Sequence, residues 1–268
     1  MIIIGERING TRRDIGDAIR SRNYEIIGEE IRKQDLAGAH YIDLNASTGT
    51  GDIDQEIDDL KWLIDVALES TEKGFALDTA DLVAMKEGAE YLGGRRPWIM
   101  NSIKGTKDTM GKLFPIVSEH KVPFIALAMD STGIPKDATS RINICRKICE
   151  ASSKIGIPEE NIFFDPLVLP ISADISQGEV TLETLRGIGE FLPQSKTTIG
   201  LSNISYGLPK RSLINHAFLM ATISNGLNSV ICDPTDKEIS RGILLGELIS
   251  GRDRHCRRFT RTLREGKF

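Results

Sequence analysis

The chain of 268 residues lacks several features that each mark a class of protein. No apolar run approaches the roughly 20 residues of a membrane-spanning helix, and the run at residues 1–4 is too short for a signal peptide. A formal net charge of -4 gives no general attraction to nucleic acid, although residues 252–264 form a local basic segment. We therefore expect a cytoplasmic protein that binds neither membranes nor nucleic acid, with the basic segment as a solvated helix face.

Cysteine and histidine are also scarce, at four residues each. The cysteines show no short paired spacing of the zinc-binding kind and the histidines are scattered, so a structural zinc site is not expected. Cys145 and Cys149 lie four apart on a predicted helix, and we expect them to pack as small apolar residues rather than share a metal. Dinucleotide-binding glycine spacing, a P-loop, a Ser-His-Asp set and a strand-end lysine are missing too. We expect no metal bound to this chain.

What the sequence does contain is a regular alternation of short apolar runs and longer amphipathic segments. The apolar runs predict eight strands, at residues 1–4, 40–45, 75–78, 98–101, 124–130, 162–165, 198–203 and 229–233. The amphipathic segments predict seven helices between them, at residues 24–37, 54–68, 82–91, 110–119, 141–155, 182–191 and 214–223. This order, without a linker or an internal repeat, predicts one (β/α)8 TIM barrel domain over residues 1–268 rather than an open doubly wound sheet.

Polar side chains stand at or just beyond the ends of the predicted strands. The carboxylates and amides of this set are Glu6, Asn9, Asp43, Asn45, Asp78, Asn101, Asp165, Asn203 and Asp233, and Arg211 follows in the seventh loop. Because the carboxyl ends of all strands meet on one face of a barrel, we expect these side chains to form one site. Carboxylates accept from adjacent ring N–H and amino groups, and amides both donate and accept, so the set suits a flat heterocycle rich in donors.

Simpler roles are open for several of these residues. Asp165 and Asp233 each precede a proline and suit the cap of a turn, and Asn203 suits the stabilisation of its own loop. Asp43 lies two residues before Asn45, so both point the same way, and it suits the orientation of other side chains as well as ligand contact. The carboxylates by themselves would also suit Mg²⁺ or another hard cation.

Seven segments, taken in order, carry a resemblance to a known family. They are residues 5–10, 43–45, 77–78, 100–102, 132–137, 165–170 and 200–205. Together they resemble the pterin-binding methyltransferases, above all those that act on methyltetrahydrofolate and a corrinoid/iron-sulfur protein. The resemblance covers nearly the whole chain, which makes it more specific than any single motif.

The resemblance implies a homodimeric barrel that holds methyltetrahydrofolate at its open end, where a separate corrinoid protein carrying cobalamin docks. It implies that Asp78, Asn101 and Asp165 hold the pterin ring, and that Asn203 lies near N5. Tyr206 stands where the family pattern has an amide. The implied catalytic residues are Asn203, Asp78 and Asp165, and the implied folate-binding residues are Asp78, Asn101, Asp165, Asn203, Tyr206, Arg211, Asp43, Asn45, Glu6 and Asn9.

The chemistry of methyl transfer gives Asn203 a specific task. A methyl group on a neutral tertiary amine is a poor electrophile, so N5 must gain positive character before a strong nucleophile displaces it. An amide that bonds N5 more favourably when N5 is protonated would assist, with a carboxylate and ordered water completing the network. The alternatives are a dihydropteroate synthase, against which the missing Lys and Arg anion set in the later strands argues, and a non-catalytic folate-binding subunit of a corrinoid complex.

Overall fold

The computed structural model describes residues 1–49 and 51–266, and these form alternating strands and helices. The strands are β1 Ile2–Asn9, β2 Tyr41–Asn45, β3 Gly74–Asp78, β4 Trp98–Lys104, β5 Phe124–Leu127, β6 Ile162–Asp165, β7 Lys196–Thr197 and β8 Ser229–Cys232. The α-helices are α1 Arg13–Arg20, α2 Tyr24–Leu36, α3 Ile53–Ser70, α4 Leu82–Leu92, α5 Lys107–His120, α6 Ala138–Ser153, α7 Gln177–Phe191, α8 Arg211–Ser224, α9 Lys237–Ile249 and α10 Arg257–Arg264. Three short 3₁₀ turns complete the set, at Glu159–Asn161, Leu201–Asn203 and Arg254–Cys256.

The strands form one parallel sheet that curls into a closed barrel. Each strand pairs with the next in sequence from β1 to β7, and β8 pairs with β1. The residues just after β7 pair with β8 and so close the barrel. The Ile231 N–H donates to the Ile199 carbonyl at 2.8 Å, and Gly200 bridges Ile231 in parallel register. The predicted (β/α)8 TIM barrel with one domain is confirmed.

The apolar side chains form separate layers inside and outside the barrel. Successive residues of a strand face opposite sides, so Phe75 and Leu77 pack against the helices while Ala76 points inward. The buried residues of the interior layer are Ile4, Ala76, Ile99, Ile125 and Phe163. Asp78, Asn101 and Asp165 lie two residues after members of this layer, so they point inward as well and line the barrel mouth.

Helix ends follow local rules that the sequence displays. α2 ends just before Gly38, whose φ of 93° is left-handed, so the predicted helix stop is confirmed. Asp81, Thr106 and Asp137 cap α4, α5 and α6 by accepting from backbone N–H groups of the first turn. Cys145 is buried on α6 and Cys149 packs half-buried beside the same core, as expected for small apolar residues.

Several elements differ from the prediction. α1 and α9 were not among the predicted helices, whereas the basic segment, expected to be a solvated helix face, does form the exposed α10 over Arg257–Arg264. The predicted seventh strand at residues 198–203 is wrong in extent, because β7 stops at Thr197 and residues 201–203 form a 3₁₀ turn. β4 is three residues longer than predicted, because a bulge after Asn101 lets the strand resume at Ile103. No helix within residues 1–49 and 51–266 combines the length and apolar character needed to cross a membrane.

Candidate active site

The mouth of the barrel holds a set of inward-facing acids and amides, here called the acid–amide cluster: Asp43, Asn45, Asp78, Asn101 and Asp165. Strand register sets their positions, since Asp78 lies beside Asn101 in the β3–β4 ladder. Asp165 is the last residue of β6, and its register partner on β5 is Leu127. The cluster therefore extends along one side of the mouth, from β2 to β6.

Two hydrogen bonds tie the cluster together across strands. The Asn101 amide donates to Asp43 Oδ1 at 3.1 Å, and the Asn45 amide donates to Asp78 Oδ2 at 2.8 Å. Asp43 is only 3% exposed and Asn101 8%, so water does not compete for their bond. Asp43 orients the Asn101 amide, which is the simpler role that the sequence left open for it.

The carboxyl groups of the cluster are biased toward their neutral forms. Burial, followed by the nearby charge of Asp78, raises the pKa of Asp43 well above its usual range, against the bond from Asn101. Burial raises the pKa of Asp78 too, although the bond from Asn45 opposes this. Adjacent buried carboxylates repel, so the pair favours a state with fewer than two charges.

Asp165 is the carboxyl group of the cluster that stands alone. It is 8% exposed, and burial raises its pKa to about 6. The Leu167 N–H, which donates to Oδ1 at 2.7 Å, and the charge of Arg141 partly oppose that rise. Asp165 therefore bonds the turn that follows Pro166 with one oxygen, as the turn-cap interpretation predicted, and leaves Oδ2 without a hydrogen-bond partner among the described residues.

The end of β1 is tied to the strands and loops beside it. Ser202 donates its hydroxyl to Glu6 at 2.6 Å, and burial raises the pKa of Glu6 despite this bond. Asn9 accepts from the backbone N–H of Thr11 at 3.0 Å and from its hydroxyl at 2.6 Å, so its carbonyl oxygen stabilises its own loop. Glu6 and Asn9 both line a depression on this side of the mouth.

Asp233, at the end of β8, belongs to the frame of the site. Arg7 donates to its Oδ2 at 2.6 Å, and Thr235 donates to its Oδ1 from both the backbone N–H and the hydroxyl. Burial acts to raise the pKa of Asp233, but the bonds from Thr235 and Arg7 together lower it. The turn-capping interpretation of Asp233 is confirmed.

The opposite side of the mouth is formed by the β7 loop, residues 198–210. Asn203 is exposed, and its side chain makes no hydrogen bond to any residue that the structure describes. Arg211 braces this loop by donating to the Ser205 hydroxyl at 3.1 Å and to the Ser202 carbonyl at 2.7 Å. Tyr206 is 66% exposed, and only its backbone is tied down, through a bond from Ser172.

Two depressions open at the mouth. One of about 350 Å³ lies on the β1, β7 and β8 side and is lined by Glu6, Arg7, Asn9, Thr11, Arg12, Ser202, Arg211 and Asp233. The other, of about 240 Å³, lies on the β3 to β5 side and is lined by Asp78, Thr79, Ala80, Leu82, Ser102, Lys104, Thr109 and Leu127. Asn101, Asp165 and Asn203 line neither of these two depressions.

Comparison with known proteins identifies the family. Residues 5–233 match the family described as pterin binding enzyme. The chain belongs to this family. The chain is similar over its full length to the methylcorrinoid:tetrahydrofolate methyltransferase of Eubacterium limosum. The two are 30% identical across 100% of this chain and 97% of the relative. The methionine synthase of Mycobacterium tuberculosis is 29% identical across 86% of this chain, which spans only 20% of that relative.

Solved structures of pterin binding enzymes share the fold. A Yersinia pestis dihydropteroate synthase in complex with a pterin–sulfa conjugate superposes with a TM-score of 0.70 at 15% identity, covering 92% of this chain and 93% of the other. The Vibrio fischeri dihydropteroate synthase gives a TM-score of 0.71 at 14% identity, covering 92% of each chain. At these identities the likeness concerns the barrel alone.

Sequence reasoning about this pterin binding enzyme missed Lys104. We expected no strand-end lysine, and that expectation is wrong because β4 runs through Lys104, which shares a depression with Asp78. The signal was Ile103, a buried apolar residue just after the polar Asn101 and Ser102. Within residues 1–49 and 51–266, no group of three or more His, Cys, Asp or Glu side chains is placed to hold a metal ion.

Proposed function

We propose that this chain transfers a methyl group between N5 of tetrahydrofolate and the cobalt of a separate corrinoid protein. The observation that carries the proposal is the similarity from end to end to the methylcorrinoid:tetrahydrofolate methyltransferase of Eubacterium limosum. A barrel mouth built of acids and amides supports it, since such a surface suits a pterin ring. The barrel likeness to dihydropteroate synthases does not favour their reaction, because it concerns fold alone. The net direction of transfer is open.

The acid–amide cluster supplies the groups that a pterin ring requires. The ring presents an N–H and an amino group side by side, which a carboxylate accepts with both oxygens. Asp165 suits this task, because a pKa of about 6 leaves it mainly ionised at neutral pH and its Oδ2 has no partner among the described residues. Asp78 and Asn101 are adjacent in register and bind the remaining ring edge, with Asn45 and Asp43 holding them in place.

The β7 loop supplies the group that acts on N5. Asn203 has an exposed amide with no partner among the described residues, so a ligand meets no internal competition for it. Its amide oxygen accepts a hydrogen bond only when N5 carries a proton, so the contact stabilises the charge needed for methyl departure. Asp78 and Asp165 help to hold that proton in the site.

The other predicted residues surround this centre. Glu6 and Ser202 connect β1 to the β7 loop, and Arg211 keeps that loop in place. Asn9 holds the first loop, and Tyr206 offers an exposed ring beside Asn203. A corrinoid protein would approach the open mouth on the side of the exposed Asn203 and Tyr206. The homodimer and the cytoplasmic location stay predictions.

Methyl transfer to free cobalamin tests the proposal. Purified protein, methyltetrahydrofolate and cob(I)alamin are mixed under anaerobic conditions, and the loss of cob(I)alamin absorbance is followed, with the reverse reaction started from methylcobalamin and tetrahydrofolate. We expect catalysed transfer that saturates with the folate. Tight folate binding without transfer, even to a corrinoid protein, would indicate the non-catalytic subunit. Formation of dihydropteroate from a pterin pyrophosphate and p-aminobenzoate, with no transfer, would contradict the proposal.

A further inference from the structure

Arg141, on the first turn of α6, is a fully buried arginine whose partners are not carboxylates. The residue is 0% exposed, and its hydrogen-bond acceptors are three backbone carbonyls and one side-chain amide. Nε donates to the Pro135 carbonyl at 2.9 Å, and Nη2 donates to the Gln177 side chain at 2.7 Å. Nη1 donates to the carbonyls of Pro166 and Leu167 at 3.0 and 2.9 Å. Burying a guanidinium costs free energy, and hydrogen bonds to four acceptors offset that cost. The arrangement indicates that Arg141 holds together the segments that supply these acceptors.

Most of the acceptors that Arg141 bonds belong to the loops that leave β5 and β6. Pro135 lies in the β5 loop, Pro166 and Leu167 form the exit of β6, and Gln177 begins α7. Leu167 has a φ of 66°, a left-handed conformation that a leucine rarely adopts, so surrounding bonds must hold it. The N–H of that same Leu167 bonds Asp165 at 2.7 Å. A single guanidinium therefore holds the turn on which the Asp165 carboxylate rests.

We propose that Arg141 is the positioning residue for Asp165, setting both the orientation and the ionisation of the carboxylate that holds the pterin ring. This inference rests on the proposed function. The proposed role of Arg141 also gives a function to two segments that make no proposed contact with the pterin ring. The β5 loop segment, residues 132–137, supplies an acceptor to Arg141 and the cap of α6, and the segment after Asp165 supplies two more acceptors.

The electrostatic part of the role follows from the groups around Asp165. Burial raises the pKa of Asp165 to about 6, and the Arg141 charge opposes that rise. The other titratable group that interacts with Asp165 is Cys145, also on α6, whose thiol stays neutral because burial raises its pKa. The β5 neighbour in register is the apolar Leu127. The Leu167 N–H bond opposes the rise more than the Arg141 charge does, so Arg141 favours the ionised carboxylate both by holding the Leu167 turn and through its own charge.

Two substitutions separate orientation from charge. Arg141→Met removes both, and we expect the pH midpoint of tetrahydrofolate binding to rise by about one unit, with binding at pH 6 weakened about fivefold beyond any loss seen at pH 8.5. Arg141→Lys keeps the charge but cannot reach four acceptors in fixed geometry, so affinity should fall at every pH while the midpoint rises less than in Arg141→Met. Arg146→Met, on the exposed face of the same helix, is the matched control and should bind as the wild type does.

The test is calorimetric titration with tetrahydrofolate from pH 5.5 to 8.5, in the wild type and in Asp165→Asn. The Asp165→Asn protein reports the ligand's own titration, and adding Arg141→Met to it should move no midpoint. Wild-type affinity and midpoint in both folded Arg141 variants would overturn the inference while leaving the proposed function intact. If Arg141→Met does not fold, Arg141→Lys decides, because unchanged affinity there contradicts the orienting role. Failure of the wild type to bind folate would instead contradict the proposed function.

Discussion

The two sides of the barrel mouth are built by different means. The acid–amide cluster on β2 to β6 stands on regular strands, is held by cross-strand bonds, and is largely buried. The β7 loop presents Asn203 and Tyr206 from irregular backbone, and both side chains are exposed. Rigid elements hold a ligand in one orientation, and exposed loop groups meet a partner that must come and go. Under the proposed function, the buried cluster would bind the folate and the exposed loop would activate it.

The substitution with the largest expected effect on the difference between the two sides is Asn203→Ala. If its amide acts mainly on protonated N5, methyl transfer should slow by about 100-fold or more, while tetrahydrofolate binding changes only a few-fold. Stopped-flow transfer to cob(I)alamin gives the rate, and calorimetry gives the affinity. Gln194→Ala is a control, since this exposed amide lies in the loop between α7 and β7, at the end of the barrel away from the mouth. No loss in either measurement would show that the Asn203 side chain takes no part in folate binding or methyl transfer.

Asp165→Ala tests the buried side. A charge-assisted hydrogen bond contributes about 1.5 to 3 kcal/mol, so the dissociation constant for tetrahydrofolate should rise by one to two orders of magnitude. Glu119→Ala is a control, because that exposed carboxylate lies in the last turn of α5, at the end of the barrel away from the mouth. Unchanged affinity in Asp165→Ala would remove Asp165 from the site.

The Asp165 carboxylate should lower the stability of the ligand-free protein at neutral pH. Its folded pKa of about 6 lies above the usual 3.8, so folding favours the protonated acid below pH 4 and loses that advantage as pH rises through 6. Near pH 8, Asp165→Asn should therefore stabilise the ligand-free protein by roughly 1 to 3 kcal/mol, and the gain should vanish toward pH 4. Urea unfolding at several pH values measures this. Destabilisation at pH 8 would show that Asp165 is primarily a structural turn cap.

Tyr206→Phe should have the smallest effect. The Tyr206 hydroxyl bonds no residue that the structure describes, so its removal should change folate affinity and transfer to free cobalamin less than about twofold. Transfer to the native corrinoid protein, compared with transfer to free cobalamin, would show whether the ring contacts the partner. A large loss of folate affinity would place the hydroxyl on the ligand and blur the division between the two sides.

Sequence alone predicted the buried side well, for a physical reason. Along each strand the side chains alternate, so a polar residue two positions after an inward apolar residue must also point inward. Asp78 after Ala76 and Asn101 after Ile99 follow this rule. The rule needs only a regular strand, which apolar runs indicate reliably.

The same reasoning failed where the backbone leaves the strand. The apolar run at residues 198–201 looked like a strand leading to Asn203, but the chain turns after Gly200 and places Asn203 on a 3₁₀ turn. Lys104 was missed because a bulge prolongs β4. Arg141 was missed because arginine is rarely buried, although it lies three and seven residues before the buried Ile144 and Ile148, on the same helix face.

The division of the mouth is tested most directly by measuring affinity and single-turnover rate side by side in Asp165→Ala and Asn203→Ala. Calorimetry with tetrahydrofolate gives the first quantity, and stopped-flow transfer from saturating methyltetrahydrofolate to cob(I)alamin gives the second. We predict a crossed pattern, in which Asp165→Ala loses at least tenfold in affinity and Asn203→Ala loses mainly in rate. Parallel losses in affinity and rate for both variants would contradict the division, since both residues would then simply hold the substrate.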